Sequence, residues 1–374
     1  MQIIYNHDRK AFLVNEGDEE LACVDFNFSD LDHNGNILTM EEASNYTYAE
    51  YYKKDVKELA YRITNVNVGE GGGAPQRVGW ILPIAMLTTE DEDTLGQEHV
   101  NQYVFFAYCY LLGKEAIVDE VINGKELDEI LTETYPDGCL LIVNNTRMPE
   151  GVTLKRLELS LARNGYFLKP TEYANPLISE DGNLNLTPAL EILKSDNSYV
   201  DNYLDTYLRW HVYNPNPFIR FFYLYQLVEV LLDMEMIAIL KDFIYLLENS
   251  KTSYRTAETA LQKHTESERF FRIVQNSGLK VADYAAFDNL CYTFLNWGED
   301  EEKKPNPESI YQVRNHIVHR FRKAASDEAT VKSICDHLEL YLYDLLICYK
   351  LPKVNRPTPQ HPNCKIVTQW KKMK

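Results

Sequence analysis

Between residues 308 and 323 the chain reads ESIYQVRNHIVHRFRK, which gathers Arg314, Asn315, His316, His319, Arg320, Arg322 and Lys323 into one short segment. These residue types suit chemistry on a phosphate. An imidazole exchanges protons near neutral pH, so His319 is a candidate general acid or base. The guanidinium of Arg314 stays charged, and its planar fork fits phosphate oxygens as negative charge grows on them. Asn315 can orient that pair or donate to the same oxygens. Arg320, Arg322 and Lys323 add a basic flank for a polyanion such as RNA.

Spacing decides whether these groups converge. Ile310, Val313, Ile317 and Phe321 recur at intervals of three and four, which predicts a helix with one apolar stripe. Asn315 and His319 stand four apart and share a face beside that stripe, with Arg314 one residue earlier. His316 lies about 100° round the helix from Asn315, a bystander that at most supports the site. Asn306 is expected to cap this helix, with Pro307 at its first position and Glu308 in its first turn.

The elements that must position this helix differ between the two halves of the chain. After WHVYNPNP comes a segment of some thirty residues, roughly 218 to 247, free of Gly and Pro and apolar nearly all round. Such a helix is buried on most sides, or shared between a core and an oligomer interface. Helical stretches follow at 255–278 and 281–297, then the 308–323 segment and 327–351. Residues 198–350 therefore read as an all-α bundle, and 351–374 as a basic, Pro-containing tail. Residues 1–197 read as a mixed α/β domain, with strand-like runs at 21–28, 78–87 and 138–145 and helical ones at 49–63 and 124–135. The fold class is α+β.

Charge follows the same division. From residue 301 onward there are 14 Lys/Arg against 8 Asp/Glu, a net of +6; the remainder carries 24 against 48, a net of −24. An acidic first domain suits a sensing or regulatory role beside a local nucleic-acid footprint. Seven cysteines without a C-x-x-C pair fit a reducing cytoplasm, and argue against a disulfide framework or structural zinc. The N-terminus has no secretory pattern, and the long apolar segment carries too many charges for a membrane span. No cofactor is expected.

One further motif bears on metals. Asp30, Asp32, Asn34, Gly35, Ile37 and Glu41 occupy the positions of an EF-hand calcium loop. The lead-in LACVDFNF alternates like a strand, however, and Asn34-Gly35 is equally a turn signal.

R-N-x-x-x-H on a late helix, behind a long apolar helix with an embedded acid, resembles the HEPN superfamily. The residues carrying the likeness are Arg314, Asn315 and His319, with RFFYLYQLVEVLL and its Glu229 resembling the first long helix of the ApeA-like branch. The likeness covers roughly residues 215–350. Phe321 stands where toxins paired with nucleotidyltransferase antitoxins usually carry Tyr, which argues against that branch. The resemblance implies an endoribonuclease that works without a metal. In it the RNA 2′-hydroxyl attacks the adjacent phosphate, leaving a cyclic phosphate, at a site composed across a homodimer. It also implies an antiviral, abortive-infection role on tRNA or other RNA, answering a phage-derived trigger or a regulatory partner. The alternatives from other classes are a non-catalytic HEPN interaction module and a calcium-regulated binding protein.

Overall fold

Strand β7 (Gly138–Asn144) organises the first half of the molecule, and its sequence GCLLIVN shows how. A strand covered on both faces reads as one continuous apolar run. Here Leu140 and Ile142 pack into one buried layer with Val104 and Phe106, while Cys139, Leu141 and Val143 pack into the opposite layer with Leu157 and Leu161. A computed structural model of the chain describes residues 1–53, 63–69, 74–88, 100–170, 183–189, 198–249, 252–261, 264–297, 303–320 and 324–350. It is α+β, and it separates into two compact units. The first comprises Met1–Leu193 with Asp205–Tyr213; the second comprises Lys194–Leu204 with Asn214–Lys374.

In the first unit, β1 (Gln2–Asn6), β2 (Ala11–Glu16) and β3 (Glu19–Asp25) form an antiparallel sheet in the order β1-β2-β3. A short helix, α1 (Met40–Ala43), precedes a second sheet made of β4 (Tyr46–Tyr52), β5 (Thr64–Val68), β6 (Gln76–Pro83), β7 and β8 (Asn183–Leu186). Its order is β4-β7-β6-β5-β8, antiparallel except for the β5–β8 pair. Helices α2 (Val100–Leu112), α3 (Glu115–Ile122) and α4 (Leu127–Thr134) belong to one layer; α5 (Leu154–Arg163) covers the other. Gly79 of β6 is required by contact, because a Cβ there would collide with the backbone of Ile142 on β7.

One expected helix begins as a strand. The sequence pattern of residues 49–63 predicts a helix, yet β4 runs through Tyr52 and pairs with β7 from Tyr46↔Asn144 to Tyr52↔Gly138. The segment YTYAEYY is rich in Tyr and Thr, which fit a half-buried pleated surface, and β7 offers it a full partner. The remainder of that expectation, 54–62, lies outside the described residues. So do the glycine run at 70–73, the acidic 90–93 and the tail 351–374.

The second unit is helical. It takes the start of helix α6 (Ser198–Thr206); the end of that helix and the wide π-type turn after it (Tyr207–His211) belong to the first unit, and α7 (Pro217–Glu248) follows in the second. Asn216 caps α7 by accepting from Phe218 N (3.0 Å) and Ile219 N (3.1 Å), with Pro217 at the first helical position. The stretch expected as one helix over 255–278 is interrupted. Helix α8 (Tyr254–Leu261) ends, and α9 (Glu266–Ser277) begins behind Thr265, whose hydroxyl accepts from Glu268 N at 3.2 Å. Then come α10 (Ala285–Leu295), α11 (Glu308–His319) and α12 (Glu328–Cys348). Arg220, buried at the start of α7, joins it to α12 through Asp336 (2.5 Å) and the fully buried Glu339 (2.6 Å). Glu339 also accepts from the Tyr343 hydroxyl at 3.1 Å, so its second oxygen is satisfied.

Candidate functional site

Helix α11 buries Ser309, Ile310, Val313 and Ile317, the stripe its spacing predicts; Phe321 lies outside the described residues. Its N-terminus is secured differently from expectation. Pro307 holds the cap position with no side-chain hydrogen bond, and Asn306 points elsewhere. The first backbone N–H groups of the helix, those of Glu308 and Ser309, donate to Pro305 O at 3.1 and 3.4 Å. Asp288 of α10 anchors the same end from outside, taking the Asn306 N–H (2.7 Å), the Ser309 hydroxyl (2.8 Å) and the Asn306 side-chain amide (3.3 Å). Burial raises the Asp288 pKa above the ordinary carboxylate value, although these hydrogen bonds pull the other way. The first residue of α11, Glu308, accepts from Ser267 of α9 and from Gln312 (2.9 Å). Burial would raise the Glu308 carboxyl, but those hydrogen bonds hold it below its usual value.

With α11 held on both sides, the motif residues take defined places. Arg314 is half-buried; its Nη1 donates to Asn315 Oδ1 at 3.2 Å. Its Nη2 stands 3.9 Å from Glu229 Oε1 on α7, and Glu229 also accepts from Gln226 at 2.6 Å. The fold thus brings Arg314, Asn315 and Glu229 together. His319 is exposed in the last turn of α11, four residues beyond Asn315, and its side chain makes no hydrogen bond or ion pair to another described residue. Arg320 is exposed just past the helix, its N–H bonded to His316 O at 2.9 Å. His316 is half-buried and packs edge-to-face on Phe294 at 5.2 Å, a packing role. Arg322 and Lys323 lie outside the described residues.

The sequence reading missed Tyr225. Its ring lies 5.6 Å from the Arg314 guanidinium, and its buried hydroxyl has no hydrogen-bond partner among the described residues. Burial pushes the phenol's pKa up, and the nearby Glu266 carboxylate adds to this while Arg314 opposes it. A signal existed: Tyr225 and Glu229 stand four apart on α7 and so share a face.

The arrangement offers a guanidinium held from below by an aromatic face and from the side by an amide oxygen. Its carboxylate partner is loose. An ion pair of 3.9 Å with Glu229 about two-fifths exposed contributes at most ~1 kcal/mol, so an incoming phosphate can displace it.

The 30–41 segment forms a tight turn. Asp32 accepts from Asn34 N and Asn36 N (both 2.8 Å), Gly35 sits at φ +82°, and Leu31 bridges Ile37. Burial works against ionisation of Asp32, but the hydrogen bonds from Asn36 and Asn34 outweigh it and hold the pKa low. A strand, β3, leads into this turn, and Asp30 lies 3.3 Å from His7. Glu41 is exposed in the single turn of α1, and Asn34 contributes its backbone N–H to the turn. No group of three or more His, Cys, Asp or Glu side chains converges among the described residues. Nor is any described helix long and apolar enough to cross a membrane. Compared with protein families, curated proteins and solved structures, the chain matches none.

Proposed function

We propose that the chain is a metal-independent endoribonuclease of the HEPN type, acting through Arg314, Asn315 and His319. One observation carries the reading. Arg314 is pre-positioned beside Asn315 over a buried tyrosine, while His319 stands exposed one turn further on. In this reading an imidazole takes the 2′-hydroxyl proton as that oxygen attacks phosphorus. The bond to the 5′ oxygen breaks, and that oxygen receives a proton from a second imidazole. The products are a 2′,3′-cyclic phosphate and a 5′-hydroxyl end, and Arg314 bears on the oxygens that gain charge. A second copy supplies the second imidazole, which makes the working unit a homodimer. We place this activity in the cytoplasm, on tRNA or other RNA, under a phage-derived trigger or regulatory partner.

The test uses the purified intact chain and a labelled RNA in excess EDTA. Cleavage leaving cyclic phosphate ends is expected. His319→Ala should lose roughly 10²–10⁴-fold in rate. Equal cleavage by wild type and His319→Ala ends the enzyme reading. A non-catalytic bundle then becomes the better account, and it has one observation in its favour: Arg314 already has Asn315 and Glu229 beside it.

A further inference from the structure

A different surface, on the first unit, has the makings of a peptide site. Strand β3 is the edge of the β1-β2-β3 sheet, hydrogen-bonded to β2 alone among the described strands. Beside it runs a groove of about 870 Å³, with β3 as one wall and the α3–α4 corner as the other. The ladder shows which β3 groups face this groove. Phe26 N donates to Lys10 O at 2.8 Å, and Ala11 pairs with Asp25. In an antiparallel pair, hydrogen-bonded and non-bonded positions alternate. Phe26 and Val24 therefore bond inward to β2, while the N–H and C=O of Cys23 and Asp25 turn outward. A bulge at the Val14/Asn15 step ends the regular run near Leu21. None of the outward groups takes a partner among the described residues.

Exposed edges are usually blunted by charge or a bulge, and both devices are present here. The charge is of one sign. Asp25, Glu126 and Asp128 line the groove exposed to solvent, and its one lysine, Lys125, is taken up by Glu133 at 2.6 Å and Glu120 at 4.0 Å. Such an edge repels a second copy of itself and repels RNA, yet it leaves the strand's hydrogen-bonding groups available to a cation-bearing partner.

We infer that this groove receives an extended, basic polypeptide segment, which adds to β3 as a fourth antiparallel or parallel strand. Main-chain bonds to Cys23 and Asp25 would give affinity, and lysine or arginine at alternate positions would meet Asp25, Glu126 and Asp128. This inference does not depend on the ribonuclease reading.

The experiment titrates the full chain against a short fluorescein-labelled peptide alternating Lys and Val, read by anisotropy. Saturable binding is expected. Cys23→Pro removes an outward N–H while leaving the ladder to β2 intact, a place where an edge strand tolerates proline. It should weaken binding roughly tenfold through the lost main-chain bond. Asp25→Asn with Asp128→Asn should weaken it by a similar factor. The same peptide N-methylated at every residue keeps its charge but can donate from neither edge, so it should bind at least tenfold worse. Equal binding of the methylated and plain peptides would show mere charge attraction and overturn the inference, as would no binding at all. Should Cys23→Pro lower the melting temperature, the methylated peptide and the carboxamide pair still decide.

Discussion

At the scale of single residues the site turns on what Tyr225 does. A buried hydroxyl without a partner costs stability, so Tyr225→Phe should leave the melting temperature unchanged or raise stability by about 1 kcal/mol. If that hydroxyl is kept to donate towards a phosphate on Arg314, the same variant should cut RNA on the order of 10²-fold more slowly. Unaltered cleavage would leave Tyr225 as packing beneath the guanidinium. Asp288 carries a prediction of its own. Its folded-state pKa lies above the unfolded value, so the folded chain binds the extra proton between the two. Stability should therefore rise as pH falls through the folded-state pKa, until the unfolded pKa is passed. Asp288→Asn should abolish that rise in urea melts taken across acidic pH. Asp288→Ala should cost about 2–4 kcal/mol by orphaning the Asn306 and Ser309 donors at the head of α11. Among these residues, Arg314, Asn315 and Glu229 were legible because chemical type and spacing announce them. Tyr225 and Asp288 were not, since each earns its role from a neighbour distant in sequence.

At the scale of elements, α7 was legible in outline and divided in fact. It read as apolar all round, with a core and an oligomer interface as the two explanations. Its first half is largely buried, whereas Ile237, Leu240 and Ile244 are 46%, 38% and 42% exposed at spacings of three and four. That stripe is the natural seam for the proposed homodimer. Leu240→Glu with Ile244→Glu should convert a dimer seen by light scattering into a monomer without lowering the melting temperature. A wild-type monomer at micromolar concentration, with cleavage retained, would contradict the composite site. The other end of α7 is predicted to behave oppositely. Glu339→Ala removes one of the two carboxylates that hold the buried Arg220, leaving Asp336 alone, and should cost about 3–5 kcal/mol, while Arg220→Met with Glu339→Leu should recover most of it. Elements were misread where pairing overrode local pattern. β4 looked helical until β7 was there to pair with it, and α2, an apolar run of VNQYVFFAYCYLL, gave too weak a periodicity to be singled out.

At the scale of the molecule, the charge asymmetry is sharper than the two-part count suggested. Residues 301–350 balance at 8 Lys/Arg and 8 Asp/Glu, so the whole excess of +6 falls on 351–374, which holds six basic residues and no acidic ones. On the proposed ribonuclease reading, the basic footprint for RNA is the tail as much as α11. Truncation at Lys350 should weaken RNA binding at low salt and flatten the log–log salt dependence by up to about 4, the share of six phosphate contacts on a single strand. His319→Ala should change neither. A truncation that leaves the slope intact would return the footprint to α11.

The segment Asp205–Tyr213, which clusters with the first unit although flanked by residues of the second, has a practical meaning for how this protein can be taken apart. The polypeptide passes from one unit to the other three times, near 193, 204 and 213. Lys169 lies 3.4 Å over the Trp210 ring and donates its N–H to the Tyr213 hydroxyl at 3.0 Å, so the passage is stitched rather than merely adjacent. A single protease nick near 193 should therefore give two bands on a denaturing gel but one peak on a sizing column. Neither half could be exchanged between proteins as a bead on a string, and a graft that ignores those nine residues would part Trp210 and Tyr213 from Lys169.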